Sequence, residues 1–215
     1  MALFGERMGD VSWELEGPSE LGIAAVKYLQ AIGLDKRALS ILDIGCGNGR
    51  DAFYFCDNLA CKVLGIDISM EAVDIATDRA SKAQIKNVEF QCRSYTELKA
   101  GRYDIVFTAS VYHSLNKEAR QDFREVVKRS LKPKGTLFLS TLSIHDPEYY
   151  GRGTPVPDEP NSFRNGVYLH FSTREELVQD FSFLNVKALY EHEDYDPRVK
   201  GEINYTPWIL VGQHD

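Results

Sequence analysis

The segment Ile41-Leu-Asp-Ile-Gly-Cys-Gly-Asn-Gly-Arg50 constrains the fold of this chain more than any other part of it. A short apolar run enters three glycines at alternate positions, Gly45, Gly47 and Gly49, and a helical pattern follows them. Glycine permits sharp turns and lets a ligand lie against bare backbone. In sheets of parallel strands, ligands bind at the carboxyl ends of the strands. The segment therefore predicts a buried strand, a ligand-binding turn and a helix.

Strand and helix patterns alternate along the rest of the chain. Strands are predicted at 41–44, 62–66, 88–92, 105–108 and 136–140, with helical patterns between them, and two further strands at 186–191 and 208–211. Apolar strands that alternate with helices indicate a parallel sheet covered on both faces. We therefore predict an α/β protein, three-layered and doubly wound, with a mostly parallel seven-stranded sheet.

Local signals refine this prediction at three points. Gly33 is a plausible C-terminal cap for a first helix that begins at Glu20. Residues 132–135, Lys-Pro-Lys-Gly, predict a turn before the fifth strand. Residues 172–175, Ser-Thr-Arg-Glu, have the spacing of a capping box, which predicts a helix that starts there and runs through Phe181.

The domain organisation is predicted from the apolar periodicity and composition of each segment. Residues 1–19 have weak periodicity and several glycines, which predicts a flexible N-terminal arm, and residues 20–215 form a single domain. Residues 141–171, here called the insert, carry four of the eight prolines and several aromatic residues. A connection of this length tends to be functional or disordered. We expect the insert, together with Phe4 and Trp13 of the arm, to form a lid; the alternative is a solvated loop.

Charge and composition exclude several functions. The chain has 25 basic and 32 acidic residues, a formal net charge of -7, which argues against nucleic-acid binding. It has no apolar run of about 18 residues and no signal-peptide pattern, so we expect no membrane segment and a cytoplasmic location. Its four cysteines form no C-x-x-C pair, so we expect free thiols and no metal site.

The ligand can be narrowed from the residues themselves. A second strand ends at Asp67, where a carboxylate can accept hydrogen bonds from both ribose hydroxyls. The glycine spacing is not that of a dinucleotide site, because Arg50 stands where the third glycine is needed. Asp43 would repel a pyrophosphate but suits a cationic group. These features favour a nucleoside with a positive charge and no phosphate, as in S-adenosylmethionine. The alternative is a plain tight turn with Asp67 capping a helix.

Five segments, in order between Leu39 and Ser140, resemble the motifs of the class I S-adenosylmethionine-dependent methyltransferases: LDIGCGNGR, VLGIDIS, NVEFQCRSYTEL, YDIVFTASVYHSL and KPKGTLFLS. The resemblance implies S-adenosylmethionine as cofactor, S-adenosylhomocysteine as product and the sheet order 3-2-1-4-5-7-6 with the last strand antiparallel. One departure is that Ser94 stands where the family usually has an acid that binds the adenine amino group. The cofactor-binding residues are then expected to be Asp43, Gly45, Cys46, Gly47, Gly49, Asp67, Ile68, Ser94, Tyr95 and Ala109.

The residues expected to contact the methyl acceptor are predicted from their positions in the sequence. His113 lies five residues past the fourth strand, in the segment that faces the cofactor's methyl end in this family, so it is the candidate catalytic residue; the alternative is a packed histidine at a helix start. A general base is needed only when the acceptor must lose a proton. The candidate substrate residues are Tyr112, His113, Tyr149, Tyr150 and Arg152; for Tyr112 the favoured alternative is packing in the core.

The acidic charge and the missing Asp/Asn-Pro-Pro-Tyr-type motif favour a small-molecule acceptor. The sequence resembles the small-molecule branch that includes tellurite-resistance-type and thiopurine-type enzymes. A macromolecule methyltransferase, acting on RNA or protein, and a non-catalytic S-adenosylmethionine-binding module stay open as alternatives. An NAD(P)-binding oxidoreductase is disfavoured by the glycine spacing.

Overall fold

The computed structural model describes residues 17–99, 103–195 and 204–215. The expected lid residues Phe4 and Trp13, and most of the predicted arm, lie outside these ranges. The helices are α1 (Glu20–Ala31), α2 (Arg50–Asn58), α3 (Met70–Lys82), α4 (Lys117–Ser130) and α5 (Arg174–Asp180). The strands are β1 (Leu39–Ile44), β2 (Cys61–Asp67), β3 (Val88–Cys92), β4 (Tyr103–Ala109), β5 (Leu131–Leu142), β6 (Thr154–Pro155), β7 (Ser162–Asn165), β8 (Val167–His170), β9 (Leu184–Glu191), β10 (Asp194–Tyr195), β11 (Asn204–Tyr205) and β12 (Pro207–His214).

Seven strands form one sheet in the order β3-β2-β1-β4-β5-β12-β9. The first five strands of this order are parallel to one another, whereas β12 pairs antiparallel with both β5 and β9. The predicted order 3-2-1-4-5-7-6, with an antiparallel last strand, is thus confirmed. Because the parallel strands run the same way, the ends of β1, β2 and β4 meet at one edge of the sheet.

The sheet is covered on both faces, as a doubly wound fold requires. Ile41 and Phe107 pack in a buried apolar cluster with residues of α1 and α2. Their neighbours Leu42 and Val106 point the other way and pack with residues of α4 and α5. This alternation explains why the strand sequences are apolar at successive positions, since both faces of each strand are buried.

Helix ends follow the sequence signals with one exception. Gly33 adopts a φ of 71° just after α1, as expected of a C-terminal cap. The predicted cap at Ser172 is wrong by one residue: Thr173 is the N-cap of α5, and its side chain accepts a hydrogen bond from Glu176 N. Ser172 is instead held in a strand-like position, where its N–H donates to Leu142 O at 2.8 Å.

The predicted turn at residues 132–135 lies inside β5 instead of before it. The strand begins at Leu131, and residues 132–135 bulge out opposite Asp104 of β4. Lys134 takes up the left-handed backbone needed for the bulge, with a φ of 63°. Lys132 Nζ lies 2.7 Å from Asp104 Oδ2, so an ion pair holds the bulge against the neighbouring strand.

The insert contains a small antiparallel sheet of its own. Strands β6, β7 and β8 pair in that order, with Gly166 at a positive φ in the tight turn between β7 and β8. The first two residues of the insert belong to β5. The segment therefore leaves the carboxyl end of β5 and returns to the main domain at α5.

Candidate functional site

The three glycines form a left-handed loop at the carboxyl end of β1. Gly45, Gly47 and Gly49 have φ angles of 78°, 52° and 80°, in a left-handed backbone region that residues other than glycine rarely adopt. A Cβ on Gly45 would collide with the side chain of Val111, and one on Gly49 would lie 2.6 Å from the ring of Phe90. Both the backbone angles and the close packing therefore require glycine.

Asp67, at the end of β2, faces this loop. One carboxylate oxygen accepts a hydrogen bond from Gly47 N and the other from Ser69 N, both at 2.9 Å. The adjacent Ile68 side chain is 79% exposed, which is unusual for isoleucine. The end of β2 therefore combines a fixed carboxylate with an apolar surface open to solvent.

Asp43 is the second carboxylate of the loop and is almost completely buried, with 2% of the residue exposed. No described residue donates a hydrogen bond to its Oδ2. Burial raises the pKa of Asp43 well above its usual value, and the charges of Asp51 and Asp67 raise it further, against a smaller opposing effect of Arg50. A buried, unsatisfied acid beside a bare glycine loop fits a ligand that brings a positive charge.

Cys46 lies in the same loop and is buried. Burial raises the pKa of its thiol, and the charges of Asp43 and Asp67 add to the effect. The thiol is therefore neutral, and it contributes shape to the loop instead of reactivity.

The start of α1 is fastened to the same loop. Asp51, in the first turn of α2, accepts hydrogen bonds from Ser19 N at 2.7 Å and from Ser19 Oγ at 2.9 Å. A Cβ on Gly22 would collide with the Asp51 side chain. Burial raises the pKa of Asp51, although Arg50 and Ser19 oppose this. Sequence reasoning missed this contact, because Ser19 and Asp51 are 32 positions apart.

The two predicted residues after β3 are engaged within the protein. Ser94 caps a short 3-10 turn: its hydroxyl accepts from Thr96 N at 3.2 Å, and its own N–H donates to Glu97. Tyr95 points to α4, where its hydroxyl donates to Ala119 O at 3.1 Å and its ring packs on Phe123. A contact of either residue with adenine stays a prediction.

The segment after β4 brings Ala109 and His113 to the same edge of the sheet as the glycine loop. Asp43 of β1 pairs with Phe107 of β4, and Ala109 is the last residue of β4, two positions further along the strand. Ser110 follows with a φ of 62°, a strained conformation of the kind that clusters at functional sites. His113 is partly exposed on the 3-10 turn Tyr112–Ser114.

Tyr112 does not face the site. Its side chain is fully buried between Phe123 and Phe181. Its hydroxyl donates to Asp180 Oδ2 at 2.5 Å and accepts from Arg124 at 2.9 Å. This placement leaves Tyr112 no surface for a substrate, so the expectation that it contacts the acceptor is corrected: it is a core residue with a satisfied hydroxyl.

The candidate substrate residues of the insert lie together at its start. Tyr149 N donates to Asp146, and Arg152 forms an ion pair with Glu148 at 3.0 Å. The Tyr150 ring packs edge-on against Phe163 and Phe171, and its hydroxyl donates to Asn161. Tyr150 therefore helps to hold the insert together, while 39% of it remains exposed.

A buried polar network fixes the insert to α4. Glu159 Oε2 accepts hydrogen bonds from Lys117 N at 3.0 Å and from Tyr168 OH at 2.8 Å, and it lies 3.7 Å from Arg120. Arg120 in turn donates to Leu115 O and to Tyr168 OH. The carboxylate of Glu159 thus occupies the positive N-terminus of α4, where an anion is stabilised.

The same network reaches α5. His170 is buried; its Nδ1 lies 2.9 Å from Ser162 Oγ, and its Nε2 lies 2.9 Å from Glu176 Oε1. Burial alone would raise the pKa of Glu176, but the contact with His170, together with the charge of Arg120 and a hydrogen bond at Thr173, outweighs burial and holds the pKa below its usual value. A cavity of about 250 Å³ lies between the insert, α4 and α5. Its walls include the charged residues Arg120, Arg124, Glu159, Glu176 and Asp180.

Part of the chain is similar to known methyltransferase domains. A family model described as a methyltransferase domain matches residues 41–135. A protein of Rickettsia prowazekii, named only as uncharacterised, is 34% identical over 150 residues. The alignment covers 67% of this chain and 56% of that protein, so the chain spans little more than half the length of this relative.

Two solved structures share the fold. A SAM-dependent methyltransferase from Methanosarcina mazei has a TM-score of 0.72 at 22% identity, covering 86% of this chain and 96% of that one. The 1,6-didemethyltoxoflavin-N1-methyltransferase of Burkholderia thailandensis, with 1,6-didemethyltoxoflavin and S-adenosylhomocysteine bound, has a TM-score of 0.70 at 20% identity, covering 99% and 84%. Residues 41–135 of the chain therefore match a methyltransferase domain, and the fold is that of the class I S-adenosylmethionine-dependent methyltransferases.

The candidate site has features that no sequence motif marks. These are the strained Ser110, the pair His170–Glu176 and the anchor Glu159, which contacts Lys117, 42 positions away. Within residues 17–99, 103–195 and 204–215, no cluster of three or more potential metal ligands occurs. None of the helices described there is both long and apolar enough to cross a bilayer.

Proposed function

We propose that the methyltransferase transfers a methyl group from S-adenosylmethionine to a small-molecule acceptor. The observation that carries the proposal is the loop of three left-handed glycines between two carboxylates, the buried Asp43 and the fixed Asp67. It lies at the carboxyl edge of the sheet, where this architecture binds ligands.

The residues present fit this cofactor. Asp67 would accept hydrogen bonds from the ribose hydroxyls, and the exposed Ile68 would lie against the adenine. Gly45 and Gly47 would let the amino-acid part approach the backbone, and Asp43 would balance its positive charge. When bound, the cofactor supplies a methyl group on a sulfonium, which is already activated for in-line displacement.

The chain itself mainly has to align the acceptor and exclude water. Ala109 and the strained Ser110 form the end of β4 beside the glycine loop, and they would set the position of the acceptor. His113, partly exposed on the next turn, is the proposed proton acceptor when the acceptor atom carries a hydrogen. Its contribution is then expected only with acceptors that must lose a proton.

Several observations support a small-molecule acceptor. The net charge of -7 disfavours a polyanionic substrate. The insert leaves the end of β5, and its strand β8 lies beside the 3-10 turn that carries His113. A related fold in Burkholderia thailandensis was solved with the small molecule 1,6-didemethyltoxoflavin bound. We propose that the insert is the lid that selects the acceptor, with Tyr149, Tyr150 and Arg152 facing it.

The function is tested by measuring S-adenosylhomocysteine release over a panel of small-molecule hydroxyl, amine, thiol and carboxylate acceptors. Wild-type protein should turn over at least one class, and Asp67→Ala should bind the cofactor too weakly to do so. Cofactor binding without turnover on this panel, but with turnover on RNA or protein, would replace the small-molecule acceptor by a macromolecule. Binding with no turnover on any acceptor would favour the non-catalytic module.

The lid is tested by replacing residues 150–168 with a short glycine-serine link. A lid predicts retained cofactor affinity together with lost methyl transfer. Unchanged turnover of the best acceptor would show that this part of the insert is a solvated loop.

A further inference from the structure

Asp43 occupies a position in which a negative charge has little support from the protein. The residue is 2% exposed, and its Oδ2 accepts no hydrogen bond from the described residues. An ionised carboxylate that is buried and unsatisfied is strongly disfavoured, and such groups take up a proton instead. Geometry alone therefore favours the neutral acid in the free protein.

The charged groups around Asp43 reinforce this. From α2 come Asp51 and Arg50, from β2 comes Asp67, and from the loop itself comes the neutral thiol of Cys46. Arg50 is the one cation of this group, and its Nε also lies 3.9 Å from Asp51. Asp51 thus competes with Asp43 for this guanidinium.

A cationic ligand bound in the glycine loop would favour the ionised form of Asp43 instead. S-Adenosylmethionine carries an ammonium and a sulfonium against one carboxylate, whereas S-adenosylhomocysteine has a neutral sulfur. We propose that Asp43 is protonated in the free enzyme and releases its proton to solvent when S-adenosylmethionine binds, so that cofactor binding is coupled to proton release. The proposal rests on the proposed function and adds to it a pH-dependent preference for the cofactor over its product.

The coupling has a definite sign. A ligand that favours the ionised carboxylate binds more tightly as pH rises, by at most about tenfold per pH unit for one proton. The increase stops once Asp43 is already ionised in the free protein. Because the product lacks the sulfonium charge, its affinity should rise less steeply. The ratio of cofactor to product affinity therefore increases with pH over this range.

The test is calorimetric titration of the full chain with S-adenosylmethionine, in buffers of different ionisation enthalpy, at several pH values between about 5 and 8. Wild-type protein should release up to one proton per cofactor, and less with S-adenosylhomocysteine. Asp43→Asn, which keeps the shape but cannot ionise, should lose the release. Asp51→Asn tests the other buried acid of the loop: it should retain the release but shift it to lower pH, because the charge of Asp51 raises the pKa of Asp43.

Three outcomes decide the matter. Cofactor binding with the same heat in every buffer would overturn the coupling while leaving the proposed function intact. Release that persists in Asp43→Asn but disappears in Asp51→Asn would also overturn it, by assigning the proton to Asp51. No cofactor binding by the wild-type protein would reject the proposed function itself.

A second measurement needs no variant. The infrared carbonyl band of a protonated carboxylic acid should be present in the free wild-type protein and should disappear when S-adenosylmethionine is added. A free protein without such a band would contradict the proposal even if Asp43→Asn failed to fold.

Discussion

The two sides of the candidate site are built in different ways. On the cofactor side, a continuous stretch from Asp43 to Asp51 supplies the loop, its buried acid and the start of α2, and the shape is set by backbone angles. On the proposed acceptor side, the insert is a small sheet held to α4 and α5 by side chains. Glu159 and His170 make those contacts with residues from other segments.

The two sides should therefore differ in the amino-acid substitutions that they tolerate. A loop whose shape depends on glycine backbone angles is disturbed by almost any added side chain, whereas an attached sheet can change its residues as long as its anchors remain. We therefore expect the proposed cofactor side to be specific for one ligand and the proposed acceptor side to vary with the acceptor. The experiments below compare the two sides, beginning with the largest expected effect.

Gly45→Ala should have the largest effect. The alanine would sit at a φ of 78° and its Cβ would collide with Val111. We expect about 1–3 kcal/mol of backbone strain and a further ~1–3 kcal/mol from overpacking, with loss of measurable cofactor binding. The measurements are denaturant unfolding and calorimetric titration with S-adenosylmethionine.

Gly151→Ala is the matched control from the insert. Gly151 has a similar φ of 75°, but an added Cβ would meet no atom within 4 Å. It should cost only the strain, about 1–2 kcal/mol, and leave cofactor affinity unchanged. Equal effects of the two substitutions would show that packing at the glycine loop is no tighter than in the insert.

Asp67→Ala should come next. The substitution removes the acceptor of Gly47 N and Ser69 N together with the proposed partner of the ribose. We expect a loss of about 2–4 kcal/mol in cofactor binding, by analogy with removing one member of a buried charged pair. Asp67→Asn should lose less, since one acceptor oxygen survives. Unchanged affinity of Asp67→Ala in a calorimetric titration would remove the cofactor assignment.

The sequence predicts the features that depend on neighbouring residues, and it does not predict those that depend on contacts between distant segments. The strands, the α1 helix and the position of Asp67 could be predicted from local patterns, because apolar periodicity and glycine spacing are properties of neighbouring residues. The order of the strands in the sheet was predicted from the resemblance to a known family. The bulge at residues 132–135 could not be predicted, since it depends on Asp104 in the next strand. Core packing of Tyr112 was the alternative that the sequence offered, but the partners of its hydroxyl, Arg124 and Asp180, could not be predicted because they lie in distant segments.

The structure of the insert was the hardest part to foresee. Its proline content suggests irregular backbone, yet β6, β7 and β8 pair into a sheet. What stabilises that sheet is the network of Glu159, Tyr168 and Arg120, whose members lie up to 48 positions apart. Sequence patterns report the elements a segment forms, but they carry little information on which distant side chains will meet.

Glu159→Gln tests whether the insert acts separately from the cofactor side. It keeps the size of the side chain but removes the charge at the N-terminus of α4, next to Arg120. We expect a loss of about 1–3 kcal/mol in stability, faster hydrogen exchange in residues 158–170 and weaker acceptor turnover. Cofactor affinity should not change. The control is Glu175→Gln, on the exposed surface of α5; a drop in cofactor affinity for Glu159→Gln would contradict the separation.

Asp104→Asn should have the smallest effect, because Asp104 lies at the opposite end of β4 from both sides of the site. Its carboxylate accepts hydrogen bonds from Ser40 N at 2.9 Å and from Lys132 at 2.7 Å. Burial alone would raise the pKa of Asp104, but the hydrogen bonds from Lys132 and Ser40 outweigh burial and hold the pKa below its usual value. A carboxyl group whose pKa is lower in the folded protein stabilises the fold at pH values above its pKa in the unfolded chain. This stabilisation is lost as pH falls through the lowered pKa of the folded protein.

The pair is partly exposed, so Asp104→Asn should cost about 1 kcal/mol or less at neutral pH, and less still in high salt. Asp78→Asn, which breaks the exposed pair with Lys82, should cost about 0.3–0.5 kcal/mol and serves as the control. Denaturant titrations at descending pH should show wild type and Asp104→Asn converging in stability, while their cofactor affinities at neutral pH stay equal. A stability difference that persisted undiminished in acid would mean that hydrogen-bond geometry, and not the charge of Asp104, holds the bulge of β5 in place.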